Sequence, residues 1–563
     1  MVKPTSNMEF MKFYHRLKIM RFNKTNSAVL ISLLFTAACS SGEIDLKRGE
    51  SSINSEDMVK YIKNLASDEF MGRKPFTPGE KITVEYLAEQ LKEVGFEPAF
   101  GESYFQQVPM MEISSLVNGP AVAVYGIKTL KLDAPDDIAV ISPQISEELN
   151  ISESEMVFAG FGIAVREAGW NDFEGLEVKG KTVVVLVNDP GLYTGDKSLF
   201  KGREMTYFGR WTYKYEEAAR RGAKGILIIH EAEGAGYQYT IPRKSSISPK
   251  LYMQTADSNR SQCAFTGWLS AAAADSLFAM EGFKVADLRK AACKSGYKGF
   301  QMKTKLSINI KNKVAFNTST NVAGVLKGTS RADECIVYSA HWDHFGTGEK
   351  ENGDSIYNGA VDNCTSIAWV FEIGQAFAKL KKKPERSIVL FFPTAEEQGL
   401  LGSVYYTEYP PFPMSKTVAC FNNDLMLPIG RMKDVMITGY GHSTLDDLIK
   451  EAAIRQERYA TPDPNSHTGM FYRSDHFPFA RKGVPSAFVR GNLDSREHGR
   501  EWASKMEKDY IDNRYHRPTD SFEPLTWNLE GIAEDAKLSF YVGYHLATTD
   551  YFPVWKEGSE FRR

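Results

Sequence analysis

Three apolar, β-branched runs of this chain end in residues that can bind metals or move protons. The run E-C-I-V-Y-S-A leads into H-W-D-H, which offers His341, Asp343 and His344. The run S-I-V-L-F-F-P-T-A leads into two adjacent carboxylates, Glu396 and Glu397, and T-V-A-C-F leads into N-N-D with Asp424. The loop Y-N-G-A-V-D-N-C sets Asp362 just before a helical pattern, and N-R-Y-H-R-P-T-D supplies Tyr515, His516 and Asp520. Taken singly, each has an ordinary role: a satisfied histidine, a solvated Glu pair, an Asp capping the helix after it. Together they form a mixed nitrogen and oxygen donor set suited to zinc, with cobalt or manganese as alternatives. Two histidines and three carboxylates exceed what one tetrahedral catalytic zinc needs. They match two metals sharing a carboxylate and a water.

Such residues converge only if strand ends share one edge. Strands at Glu334–Ala340, Ser387–Phe392, Thr417–Phe421, Asp434–Thr438 and Ser486–Val489 alternate with helices at Thr365–Leu380, Ser443–Gln456 and Asn528–Ala547. This alternation predicts an α/β fold, a mostly parallel mixed sheet sandwiched by helices, with sites at the carboxyl ends of its strands. Helices near Ser55 and from Glu80 to a closing Gly95 precede it. Between them lies a β-rich module of about 160 residues, with strands at Glu155–Phe158, Thr182–Val187 and Gly225–Ile229 and a helix at Tyr213–Arg221. The expected division is 55–130 and 310–550 for the main domain, with 131–300 inserted.

The N-terminus has basic residues (Lys12, Arg16, Lys18, Arg21, Lys24), then A-V-L-I-S-L-L-F-T-A-A up to Ala38, then Cys39. At about 1.5 Å per residue this run is too short to cross a bilayer and reads as an export signal. T-A-A-C-S-S-G resembles a bacterial lipoprotein cleavage site, implying a signal segment over 1–39, lipidation of Cys39 as a membrane anchor, and a periplasmic or cell-surface, outer-membrane location. Residues 40–54 then read as a polar tether. The other five cysteines form no C-x-x-C pair, so disulfides are not the main scaffold. With 68 Lys+Arg against 71 Asp+Glu, the chain lacks the basic excess of a nucleic-acid binder.

The blocks H-W-D-H-F-G, G-A-V-D-N, A-E-E-Q-G-L-L-G-S, N-N-D-L-M, R-S-D-H-F-P-F-A and Y-H-R-P-T-D, in this order, resemble metallopeptidase family 28, the two-zinc aminopeptidases. The resemblance covers about Ile53–Pro109 and Asn321–Asp550 and implies a zinc-exopeptidase (phosphorylase/hydrolase-like) fold; the intervening module resembles a protease-associated (PA) domain. It implies His341 and Asp424 on one zinc, Glu397 and His516 on the other, Asp362 bridging, and Glu396 as general base. It further implies Asp343 as the carboxylate orienting a ligand, Tyr515 as an oxyanion donor, and Arg473, Ser474 and Asp475 in a substrate loop. The implied activity is hydrolysis of peptides with free N-termini. Glutaminyl cyclisation and a non-catalytic receptor or scaffold are the alternatives on the same fold. One departure stands out: G-A-V-D-N-C-T-S replaces the family's G-A-D-D-N-A-S-G, and Cys364 beside a ligand is expected to bring an oxidation or metal-capture liability.

Overall fold

The computed structural model describes residues 43–166 and 168–562. The expected signal segment and Cys39 lie outside them. Arg331–Ser339 pairs in parallel with Arg386–Phe392 on one side and Thr417–Asn422 on the other. Ser486–Arg490 continues in parallel beyond Thr417–Asn422, and Asp434–Thr438 follows it antiparallel. The far edge is antiparallel, where 322–326 pair with 388–392. The sheet is therefore mixed and mostly parallel, as the alternation predicts.

Period-two alternation assigns the faces. Ile336, Tyr338, Ile388, Leu390, Ala419 and Phe421 pack into the main core with Thr365–Ala378, Glu530–Thr548 and Ser55–Leu65. Cys335, Val337, Val389, Phe391 and Cys420 face the other way, toward Tyr406 and Phe479 on Leu401–Glu408 and His476–Arg481. With both faces covered, the central runs 336–338, 388–392 and 418–421 are continuously apolar.

The strand Phe300–Leu326 couples the two parts of the molecule. Its first third pairs with Glu148–Phe158, its middle with Phe105–Val117, and its end with the main sheet. The inserted module holds parallel strands Thr182–Leu186, Gly225–Ile229 and Phe265–Leu269 over a separate core. Ala121, Ala123 and Leu132 belong to that core, so the module begins before the boundary expected at 131. The junction is a continuous ribbon, and a composition shift does not mark it.

Two terminal segments also differ from expectation. Residues 43–52, within the expected tether, are helical. Leu46 is buried in the main core, and Asp45 accepts the Lys381 and Lys382 N–H groups at 3.1 and 3.0 Å. A polar composition concealed one apolar contact and one cap. After residue 550 the chain returns across the molecule, and Trp555 and Phe561 pack with Met205, Phe471, Tyr472 and Phe477. There Glu560 meets Lys201 at 2.9 Å and accepts the Tyr472 hydroxyl at 2.6 Å. Burial would raise the Glu560 pKa, but Lys201 and His442 outweigh it and hold it at about 2.

A carboxylate with a depressed folded pKa stabilises above its unfolded value of 4.5, and that stability is lost as pH falls toward about 2. Glu560→Gln is therefore expected to lower unfolding free energy by about 3 kcal/mol at pH 7. In urea denaturation the gap from wild type should narrow as pH falls below 4.5 and close only below about pH 2. A gap independent of pH would remove the charge from the explanation.

Candidate metal centre

At the carboxyl edge of the sheet the strands release the predicted residues toward one point. His341 leaves Arg331–Ser339, Glu396 and Glu397 follow Arg386–Phe392, and Asp424 follows Thr417–Asn422. The backbone turns sharply at these exits: Ala395, Leu425 and His516 hold φ of 52°, 55° and 58°. Positive φ costs an L-residue roughly 1 kcal/mol, and here it falls at three corners of one site.

Asp362 stands at the centre, in the turn Ala360–Cys364 that opens the helix Thr365–Ala378. Its Oδ1 lies 3.3 Å from His341 Nε2, and its Oδ2 lies 3.3 Å from His516 Nε2. Beyond His341, Asp424 Oδ1 is at 3.4 Å; beyond His516, Glu397 Oε2 is at 3.4 Å. Glu396 Oε2 is 3.9 Å from His341 Nε2. All five residues named as ligands, and the base beside them, thus share one cluster.

The electrostatics call for a cation. Burial, followed by the charges of Asp424, Glu397 and Asp475, pushes the Glu396 pKa well above its usual value despite His341. Burial and neighbouring carboxylates likewise take Glu397 to about 7. Burial would raise Asp362 too, yet the flanking histidines hold it well below the normal range. Asp362 Oδ1 and His516 Nε2 are buried without a hydrogen-bond partner. Donor atoms of His341, Asp362 and Asp424 lie within 4.8 Å of one another, as do those of His344, Asp362 and Glu397. Imidazole and carboxylate donors, orphaned and crowded in this way, fit zinc.

The second grouping names His344 where the resemblance implies His516. His344 Nδ1 is 2.9 Å from Glu397 Oε1, and burial lowers its pKa to about 3. A neutral ring that close acts as a donor to Glu397 and orients it, leaving His516 to face the open side.

Asp343 plays two parts. Its carbonyl lies 3.1 Å from His341 Nδ1 and fixes that ring, while its carboxylate accepts the Glu396 N–H at 3.0 Å. Asp520 accepts the Val361 and Asp362 N–H groups at 2.9 and 3.0 Å and so holds the central turn. Ser474 donates to Asp424 Oδ2 at 3.0 Å, and Asp475 accepts the Ser403 hydroxyl at 2.5 Å. Arg473 turns away toward the inserted module, with its guanidinium 6.0 Å from the Tyr237 ring. The Tyr515 ring stacks on His516 at 3.7 Å, and burial followed by Asp362, Glu397, Asp424 and Glu396 raises its pKa strongly.

Sequence reasoning missed Arg73, which no motif singled out. Its buried guanidinium donates to the carbonyls of Trp342, Leu65, Gly359 and Asp362 at 2.9, 2.9, 3.0 and 3.3 Å, and also to Asn358. It ties the N-terminal helices to the central turn. Gly359 is needed in that turn, because a Cβ there would sit 2.1 Å from the Asp362 carbonyl and 2.6 Å from the His344 ring. The expected liability at Cys364 is corrected: the thiol is fully buried, and burial raises its pKa to about 11. It remains a protonated, shielded thiol.

Residues 321–541 match the model of peptidase family M28. The match covers 221 of the 563 residues. A probable glutamate carboxypeptidase of Arthroderma benhamiae is 27% identical to the chain over 273 residues, 44% of this chain and 33% of that protein. Aminopeptidase NAALADL1 of Mus musculus is 31% identical over 131 residues, 22% of this chain and 16% of that protein. The chain thus spans a third or less of either relative. Among solved structures, an aminopeptidase from Aneurinibacillus sp. strain AM-1 aligns over 90% of this chain and 97% of its own, at 18% identity and TM-score 0.47. A zinc aminopeptidase from Bacillus subtilis aligns over 88% and 96%, at 16% identity and TM-score 0.41. The matched segment contains every residue named above as a candidate metal ligand or base.

Because Asp520 orients the backbone of Asp362, Asp520→Asn should weaken zinc binding about 10–100-fold with the fold retained. Competition against a chromogenic chelator, with circular dichroism alongside, measures both. An affinity within twofold of wild type would deny Asp520 this role.

Proposed function

We propose that the chain is an exported, zinc-dependent aminopeptidase that removes N-terminal amino acids from peptides. The observation that supports this most is the Asp362 carboxylate, which turns one oxygen to each of two histidine-carboxylate groups. His341 and Asp424 would hold one zinc and Glu397 and His516 another, with Asp362 shared; bound there, zinc supplies Lewis acidity and a water acidic enough to react near neutral pH.

The chain's own groups do the rest. Glu396 stands next to a ligand yet is not needed as one, so its carboxylate is free to take the proton of the attacking water and pass it to the leaving amine. The Glu396 N–H on Asp343 fixes the base in place. The Tyr515 phenol, kept protonated by burial and by the same nearby carboxylates, donates to the oxygen that gains charge as the carbonyl becomes tetrahedral. The surplus of carboxylates also attracts a substrate's free α-ammonium, which favours cleavage at unblocked N-termini. We further read residues 1–39 as a lipoprotein signal with Cys39 lipidated, so that the enzyme faces the periplasm or cell exterior. A Cys39→Ser variant would then be recovered outside the membrane fraction.

The test is hydrolysis of aminoacyl-nitroanilides with and without an N-acetyl block. Cleavage should require a free amine and stop on chelation. Glu396→Gln should reduce kcat about 10²–10⁴-fold while zinc content is unchanged. Cleavage of blocked or internal bonds alone would discard the exopeptidase, and full activity in Glu396→Gln would discard the assigned base.

A further inference from the structure

Beside the metal centre lies an open cavity of about 590 Å³ between the main domain and the inserted module. His516, His344 and Asp343 form part of its floor, and Phe76, Ile241 and Leu251 are among its apolar walls. Three lysines from separate elements also line it: Lys74, Lys244 and Lys250. The one other charged wall residue is Glu112. None of the three lysines forms an ion pair with another described residue.

Their placement is built into the fold. Lys74 follows Arg73, which is fastened to the central turn through the Gly359 and Asp362 carbonyls. Lys244 lies on the helix Thr240–Ser246, and Lys250 begins the strand Lys250–Met253, in register opposite Ile113. Lys250 is half-buried, and burial alone lowers its pKa, with no carboxylate offsetting that cost. A desolvated ammonium is expensive unless something negative pairs with it. On the floor of the cavity, His516 borders the Asp362 and Glu397 carboxylates of the metal centre, a place for cations. Its wall is basic, and charge complementarity of this kind selects a ligand with an anion on its distal side.

We propose that this cavity receives the part of the substrate that follows the scissile bond, with Lys250, Lys244 and Lys74 binding a carboxylate there, so that short acidic peptides are preferred. This rests on the peptidase reading for its orientation, though not for the anion site itself. The carboxylate has two sources in a short peptide, the C-terminus or an acidic side chain after the cleaved bond.

Three dipeptides separate the sources: Ala-Gln, Ala-Gln-amide and Ala-Glu-amide. If the C-terminus binds, kcat/KM for Ala-Gln exceeds that for its amide by about fivefold or more; if a side chain binds, Ala-Glu-amide exceeds Ala-Gln-amide by a similar factor. Lys250→Met should collapse whichever ratio is large, and Lys250→Arg should restore most of it. Calorimetry with glutarate supplies a readout that needs no turnover, and Lys250→Met should weaken that binding about fivefold or more. If no peptide is cleaved but glutarate binds in a Lys250-dependent way, the peptidase reading fails and the anion site stands. Both ratios near one on peptides that are cleaved, ratios unchanged in Lys250→Met, or no glutarate binding to wild type would each overturn the proposal.

Discussion

The site depends on one costly arrangement: carboxylates gathered with little water at the carboxyl edge of a parallel sheet. Glu396, Glu397 and Asp475 all have raised pKa values, burial being the leading cause in each and nearby carboxylates adding to it. A domain tolerates such crowding when cations offset it. Asp362 organises the offset, with an imidazole at 3.3 Å from each of its oxygens. Much of the surrounding structure keeps Asp362 in that position. Asp520 holds its turn from one side, Arg73 gathers the carbonyls from another, and the mostly buried helix Thr365–Ala378 begins directly after it.

The link from fold to chemistry runs through the geometry of strand exits. Parallel strands that end together deliver their next residues to a common edge, and a sharp backbone turn then decides which side chain faces the centre. Adjacent residues point in different directions after such a turn. Glu397 meets His516, while Glu396 lies near His341 and is anchored through its N–H to Asp343. In the proposed mechanism, that division lets one carboxylate of the pair serve as a ligand and leaves the other for proton transfer. The ribbon formed by Phe105–Val117 and Phe300–Leu326, with the tail around Glu560, sets the inserted module beside this edge. The cavity is a product of that docking.

Much of this was legible in the sequence because it is carried by local patterns. The apolar runs that became Arg386–Phe392 and Thr417–Asn422, and the helix Thr365–Ala378, differ from their expected bounds by a few residues at most. The convergence of His341, Asp362, Glu397, Asp424 and His516 followed from strand ends and motif order. What escaped was tertiary in origin. Arg73 binds carbonyls far along the chain, which no spacing rule foresees, and His344 resembles a ligand until its donation to Glu397 is visible. The helix at 43–52 gains its stability from Leu46 and Asp45 against the main domain, so a polar stretch concealed it. The inserted module starts inside a ribbon with no linker, which hid its true edge.

The central claim is that the cluster is a two-cation centre shared through Asp362. X-ray diffraction above and below the zinc absorption edge, on crystals grown with zinc, tests it most directly. The account predicts two anomalous peaks, one between Asp362 and the His341–Asp424 pair and one between Asp362 and the His516–Glu397 pair. A single peak, or peaks that do not flank Asp362, would contradict it.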